Sequence, residues 1–206
     1  MPFANPDQTC GRTAAVVRFE PKVPNAAGPT NGGYATCPDA LSVTCMSTFR
    51  NAKPSDATRC FEIETAAYEG DDAATLKKIS KRIEEYPDGF LILEVQGEIV
   101  GFINCGCAHD VEMSDEEFKE LVGHDPDAPN AVIMSVVVDP AHQGRGLSRA
   151  LMTEFVDRMR KVGKSAIFLM CKEHHVPLYE RFGYSYLQPS TSDHGGMTWH
   201  EMSMML

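Results

Sequence analysis

The spacing of hydrophobic and polar positions changes character near residue 42. Beyond it, short apolar runs alternate with amphipathic stretches, whereas residues 1–42 hold six of the thirteen prolines and the turn-rich run Asn25–Gly33. Only Ala14–Phe19 in that segment has strand character, so 1–42 reads as an extended or partly disordered arm and 43–206 as one folded domain. Within the domain, Ser42–Phe49 reads as a strand. Pro54-Ser-Asp56 then opens a helix, because proline suits a first turn and Ser or Asp can cap it. Cys60, Ile63 and Ala67 line its apolar face. A second helix follows Asp71-Asp72, with Leu76, Ile79, Ile83 and Tyr86 at helical spacing until Pro87-Asp-Gly89 stops it.

Two strands, Phe90–Val95 and Glu98–Asn104, flank Gln96-Gly97, a hairpin signal. Ser114 and Glu117 have the spacing of a capping box and predict a short acidic helix to about Val122. Asn130–Val138 is too continuously apolar to expose a face. Leu147, Leu151, Met152, Phe155, Val156, Met159 and Val162 then mark an amphipathic helix. Ala166–Met170 is another buried strand, a helix surrounds Val176–Phe182, and Met197–Met205 closes the chain as a strand. The order β-α-α-β-β-(α)-β-α-β-α-β-β predicts an α/β fold around one mixed sheet.

Composition narrows the function. A chain of 206 residues suits one domain with a substantial core. Nineteen basic against twenty-nine acidic residues leave a net charge of −10, and the basic ones do not cluster, which argues against nucleic acid as a partner. No apolar run approaches the roughly 20 residues of a membrane span. The first residues lack the basic start and apolar stretch of a signal peptide. Seven cysteines without a CxxC pair read as reduced, mostly buried thiols of a cytoplasmic protein, with no metal site expected.

The informative junction is Val136–Met152, where a buried strand ends in a glycine-rich turn and a long helix begins at once. Free N–H groups and the positive dipole end of a helix start suit an anionic phosphate. Gly144 and Gly146 let the backbone approach closely, and Arg145 and Arg149 add positive charge. A third glycine of the dinucleotide-binding pattern is missing, and no GK[ST] follows as in a P-loop. The segment resembles motif A of the GNAT N-acetyltransferases, Q/R-x-x-G-x-G/A. Gln143-Gly144-Arg145-Gly146-Leu147-Ser148 stands in its place, with Ser148 replacing the final small residue, after the lead-in Val138-Asp139-Pro140. Phe168–Tyr184, containing Leu178-Tyr-Glu-Arg-Phe-Gly-Tyr184, is similar to motif B of the same superfamily. With Val176-Pro177 ahead of it, this version looks most like the arylalkylamine N-acetyltransferases, as do Arg59–Glu64, Gly101–Asn104 and Met197–Met202. The resemblance spans about residues 45–206. It implies the GNAT fold and acetyl-CoA as co-substrate, its pyrophosphate on residues 143–149. Val136, Val137 and Val138 would bind the pantetheine arm and acetyl carbonyl, and Met170, Cys171 and Lys172 would add further contacts.

Acetyl transfer to an amine requires a neutral nucleophile, a polarised thioester carbonyl, a held oxyanion and a proton for the leaving thiolate. A strand N–H at Val136 can serve the carbonyl. Tyr179 is the best general acid, because a phenol can reprotonate a thiolate in a dry site. The base stays open. In arylalkylamine acetyltransferases two histidines on the fourth strand relay the amine proton; Val132 and Met134 hold those positions here. His174, His175, His109 and Glu64 are the other titratable candidates, none preferred. Without a dedicated base, turnover should keep rising with pH as the neutral amine fraction grows. Tyr68, Met134, Tyr184 and Met197, with Trp199, could wall an aryl pocket. The acidic segment Glu112–Asp127 reads as a solvated surface. The expected substrate is a small primary amine, an arylalkylamine first. Polyamine, diamine or amino-acid acetylation and a non-catalytic acyl-CoA-binding module are the alternatives, and no partner protein or membrane is expected.

Overall fold

The computed structural model describes residues 47–68, 73–115, 117–192 and 198–206, so the arm over 1–42 lies outside the described residues. Seven strands form one mixed sheet in the order β1-β2-β3-β4-β5-β7-β6. β1 (Ser47–Asn51), β2 (Phe90–Val95), β3 (Glu98–Ala108) and β4 (Asn130–Val138) pair antiparallel in succession. β5 (Ala166–Lys172) runs parallel to β4, and β7 (Trp199–Met205) and β6 (Ser185–Pro189) follow antiparallel. Four α-helices cover the faces: α1 (Ala57–Ala67), α2 (Leu76–Glu85), α3 (Leu147–Lys161) and α4 (Val176–Arg181). This is the element order expected from the chain.

The continuous apolar run of β4 is explained by its position. It is central and covered on both faces, which leaves no place for alternating polar residues. One core layer unites Ile133, Val136 and Val138 with Leu151, Met152 and Phe155 of α3. The other unites Val132 and Val137 with Cys60 and Ile63 of α1 and Ile79 and Ile83 of α2. A parallel β4–β5 pair needs a crossover, and α3 supplies it. Among the described residues Cys60, Cys105, Cys107 and Cys171 are free and buried. No helix among the described residues is long and apolar enough to cross a membrane.

Several local readings are corrected. The first strand is described from Ser47 and runs past Phe49 to Asn51, because its ladder with β2 extends to Asn51↔Leu91; residues 42–46 lie outside the described residues. The start of α2 is Leu76, where the Thr75 hydroxyl accepts from the Lys78 N–H at 3.3 Å. Tyr86 caps its end and turns its ring against His124, 4.5 Å between centroids. The capping box at Ser114 does not form. The Asp115 carboxylate accepts from the N–H groups of Glu117 (2.9 Å) and Phe118 (3.3 Å), and only a 3₁₀ turn, Glu117–Glu120, results. A charged acceptor one residue closer outcompetes the serine hydroxyl. β3 continues through Cys105 and Cys107 to Ala108. On α1, Ala67 is only half-buried, and Glu64 fills the core face beside Cys60 and Ile63.

Candidate active site

The site begins where β4 and β5 part. Their register ends after three pairs, at Val132↔Phe168; β4 stays paired with β3 to Val138, while β5 runs on along β7 to Lys172↔Trp199. The direction of the β4 peptide groups beyond that point follows from the alternation of a strand. The Asp139 N–H donates to Val100 O (2.8 Å), and Val137 O lies against Gly101, so these face β3. Val136 and Val138 therefore aim their peptide groups toward the opening wedge. Gln143 Nε2 donates to Val138 O at 3.1 Å and the Tyr68 hydroxyl donates to Val136 O at 3.4 Å, both from that side. Met134 has no register partner: the ladder steps from Asn104↔Ser135 to Cys105↔Ile133, a β-bulge that re-aims the following residues.

Outside the wedge is a cleft of about 290 Å³. Its walls are Val136 and Val138, the turn from His142 to Arg149, and Leu178, Arg181 and Phe182 at the end of α4. Gly144 and Gly146 have φ of +77° and +74°, a left-handed backbone suited to glycine, and a Cβ on either would project into open space. Gly146 is the N-cap of α3 and contributes no side-chain cap, so the first-turn N–H groups stay available to an anion. Arg145, Arg149 and Arg181 are exposed around this helix start in an otherwise acidic protein. Behind the turn, Asp139 accepts from the Ala141 N–H (2.9 Å) and pairs with Arg59 of α1 at 2.5 Å.

Three buried ionisable groups bear on the site, none of them among the cleft's lining residues. Tyr179 of α4 is fully buried, edge-on to Tyr184 at 5.7 Å, and its hydroxyl has no hydrogen-bond partner among the described residues. Burial, and to a lesser degree Cys171, Tyr68 and Tyr184 nearby, raises its pKa well above 10. Tyr68 follows α1 and is buried over Val136. Glu64, one turn earlier, has one carboxylate oxygen held by Ser135 Oγ (3.1 Å) and the Ala74 N–H (3.1 Å); its other oxygen, Oε2, is buried and unpartnered. Burial lifts its pKa to about 7, against the lowering effects of the Ala74 N–H, Arg82 and Ser135.

Of the residues singled out from sequence, Val136, Val138, Gln143, Gly144, Gly146, Leu147, Ser148 and Arg149 line one cleft. Arg145 sits exposed on the same turn. Val137 points to the opposite face, into the α1–α2 core. Met170 shares that face, Cys171 lies under α3 with its Sγ 3.6 Å from Met202 Sδ, and the Lys172 ammonium is 5.8 Å from the Trp199 ring. The aryl-pocket candidates do not all meet. Tyr68 shares a core with Val132 and Trp199, whereas Tyr184 is on the other face with its hydroxyl 3.5 Å from Met152 Sδ. Met134 is buried at the bulge, and Met197 lies outside the described residues. His109 is exposed and paired with Asp125 at 2.9 Å, and His174 is exposed. The sequence reading missed Arg181, which only the end of the short α4 brings to the cleft. It had no preference for Glu64, although its spacing of four from Cys60 and one from Ile63 puts it on the apolar stripe.

The chain belongs to the acetyltransferase (GNAT) family, whose model matches residues 56–184. It is 29% identical over 150 residues to an uncharacterized N-acetyltransferase of Methanocaldococcus jannaschii, covering 66% of this chain and 60% of that protein. It thus spans less than two thirds of that relative. It is 28% identical over 165 residues to the serotonin N-acetyltransferase of Mesocricetus auratus, covering 78% of each. Among solved structures, the loading GNATL domain of CurA from Lyngbya majuscula is similar with a TM-score of 0.69 at 15% identity, covering 77% of this chain and 97% of that one. An acetyltransferase from Salmonella typhimurium, solved with acetyl-CoA, gives a TM-score of 0.57 at 22% identity, covering 78% and 94%.

Proposed function

We propose that the protein transfers the acetyl group of acetyl-CoA to a small primary amine, and that the amine is an arylalkylamine. The observation that carries the reading is the edge of β4 at Val136 and Val138, which β5 leaves without a strand partner and which lines one cleft with the glycine turn. The cleft's own features fit acetyl-CoA: a left-handed glycine pair with room beside it and an uncapped helix start for the pyrophosphate; Tyr179, with its orphaned buried hydroxyl, directly follows the lining residue Leu178. When bound, acetyl-CoA supplies an acetyl group activated as a thioester.

The residues divide the work as follows. The N–H groups of Gly144, Gly146 and the first turn of α3 hold the pyrophosphate, with Arg145 and Arg149 nearby, and Val138 lies along the pantetheine. The Val136 N–H meets the carbonyl oxygen and stabilises the negative charge that develops there, a contribution on the order of 10²–10³ in rate for one such donor. Tyr179 gives its proton to the departing sulfur. Because its pKa lies well above that of a thiol, ~8.5, a phenolate left behind is unfavourable. Tyr179 must therefore regain a proton from the amine nitrogen in the same step. For the aryl group, Tyr68, Val132, Met170 and Trp199 belong to one buried apolar cluster, and the similarity to a serotonin N-acetyltransferase favours the same class of acceptor.

The experiment is a panel of serotonin, tryptamine, phenethylamine, putrescine, spermidine and lysine with acetyl-CoA, read by release of free thiol. Turnover with the aryl amines ahead of the rest is the expected result. Preference for putrescine or spermidine would move the assignment to polyamines. Tight acetyl-CoA binding with no thiol release from any amine would make the protein a binding module.

A further inference from the structure

Behind Val136, on the α1–α2 face, four polar side chains are buried together. Glu64 rises from α1, Ser135 from β4, Asn104 from the directly opposite position of β3, and Arg82 from α2. Their hydrogen bonds fix most of the cluster. Ser135 Oγ donates to Glu64 Oε1 (3.1 Å), and the Arg82 guanidinium donates to Asn104 Oδ1 (3.2 Å) and twice to Lys119 O (3.2 and 3.0 Å). Two atoms are left over, the acceptor Glu64 Oε2 and the donor Asn104 Nδ2, each buried without a partner among the described residues. Leaving such groups unmatched is costly, and both sit beside the strand residue that precedes Val136: Asn104 lies opposite Ser135 and Glu64 accepts its hydrogen bond. Tyr68, one turn beyond Glu64, carries the same helix face to Val136 O.

We propose that Glu64 is the group that takes the proton from the incoming amine, directly or through one water, and that Ser135 and Arg82 hold its carboxylate in the state to do so. The inference rests on the acetyltransferase reading. It also replaces the strand positions held by Val132 and Met134: the base comes from the helix that crosses the strand. Chemistry supports the choice. An alkylamine has a pKa near that of lysine, ~10.4, and an ordinary glutamate one of ~4.3, a gap of roughly 6 pH units. Burial brings Glu64 to about 7 and closes the gap to roughly 3. The groups that face it are few. Arg82 and the two hydrogen-bond donors favour the anion, burial and nearby carboxylates push the Cys60 thiol on its own helix up to about 12, and Glu120 stands beyond Arg82.

The protons balance. The ammonium gives one proton to Glu64, which passes it to solvent as the net proton of the reaction. The neutral nitrogen forms the new bond to the acetyl carbon as the carbon–sulfur bond breaks. The second nitrogen proton reaches the sulfur through Tyr179, leaving amide, free thiol and an unchanged enzyme.

The test is the pH dependence of kcat/KM with the best amine of the panel. The wild-type profile should rise and level off above about pH 7. Glu64→Gln should lower kcat/KM at pH 7 by roughly 10²–10⁴-fold, bind acetyl-CoA as wild type does, and rise steadily with pH toward the amine's own pKa. Glu64→Asp should restore part of the levelling. Ser135→Ala removes a hydrogen bond that favours the anion, so its limb should move to higher pH. That variant keeps the test open should Glu64→Gln fold poorly. A Glu64→Gln profile of wild-type shape, or a Ser135→Ala limb that stays in place, would overturn the proposal while leaving the acetyltransferase reading intact. Absence of wild-type turnover with every amine would overturn both.

Discussion

Replacing Tyr179 by phenylalanine should pull stability and activity in opposite directions. The ring is buried against Tyr184 and Phe182 and stays in place, so no cavity forms. What is lost is a hydroxyl that meets no partner among the described residues. A buried, unsatisfied polar group costs about 1–3 kcal/mol, so its removal should leave the unliganded protein as stable as before or more so. For a domain of this size each 1 kcal/mol corresponds to roughly 2–4 °C in Tm. Turnover should fall by roughly 10²-fold or more, because the departing sulfur loses its proton source. Acetyl-CoA affinity should scarcely change. Differential scanning calorimetry, titration calorimetry with acetyl-CoA and single-turnover kinetics check the three parts separately. A variant that melts several degrees lower and keeps full turnover would make the hydroxyl a packing and hydrogen-bonding element, and the assignment of Tyr179 as the acid would fall.

Two further outcomes follow from other parts of the molecule. Gly146→Val forces a branched side chain onto a φ of +74° at the start of α3, directed at the space assigned to the pyrophosphate. It should weaken acetyl-CoA binding at least tenfold, about 1.4 kcal/mol, and unchanged affinity by calorimetry would contradict that assignment. At the other end of the sheet, burial pushes the Asp56 carboxyl up, but the Arg50 guanidinium at 2.6 Å and the Lys53 N–H at 2.7 Å outweigh it and hold its pKa below 3.8. Its contribution to stability is therefore complete above the unfolded carboxyl pKa of ~3.9 and is lost as pH falls through the lower folded value. Arg50→Met should move acid unfolding, followed by circular dichroism, to higher pH; an unmoved midpoint would mean the pair does not stabilise the fold.

What the chain made legible follows its periodicities. β4 and α3 declared themselves through an unbroken apolar run and a wide apolar stripe, and the turn between them through two glycines at the point where period two gives way to period 3.6. Local competition was harder to read. Ser114 and Asp115 are both good caps, and the carboxylate of Asp115, charged and one residue closer, takes the N–H groups of Glu117 and Phe118. Glu64 was hidden because a glutamate on a helix is assigned to solvent by default, although its neighbours at three and four positions mark it as inward. Ser135 was hidden for the converse reason, a polar residue absorbed into a strand that is otherwise apolar. The bulge at Met134 cannot be anticipated from β4 alone, since it depends on how β3 is laid against it.

The parting of β4 and β5 has a mechanical consequence. Three residue pairs, Asn130 to Val132 against Ala166 to Phe168, are the strand register across that seam. On one side stand four strands paired in sequence; on the other, three. The sheet is thus two plates joined along a short weld, with α3 as the strap from one to the other. A ligand whose amide-bearing arm spans the gap would act as the missing rungs, borrowing the peptide groups of Val136 and Val138 that β5 does not reach. Its binding free energy would then appear as cohesion of the whole sheet. Backbone amides of β5 and β7, far from any contact with that ligand, should exchange more slowly in its presence.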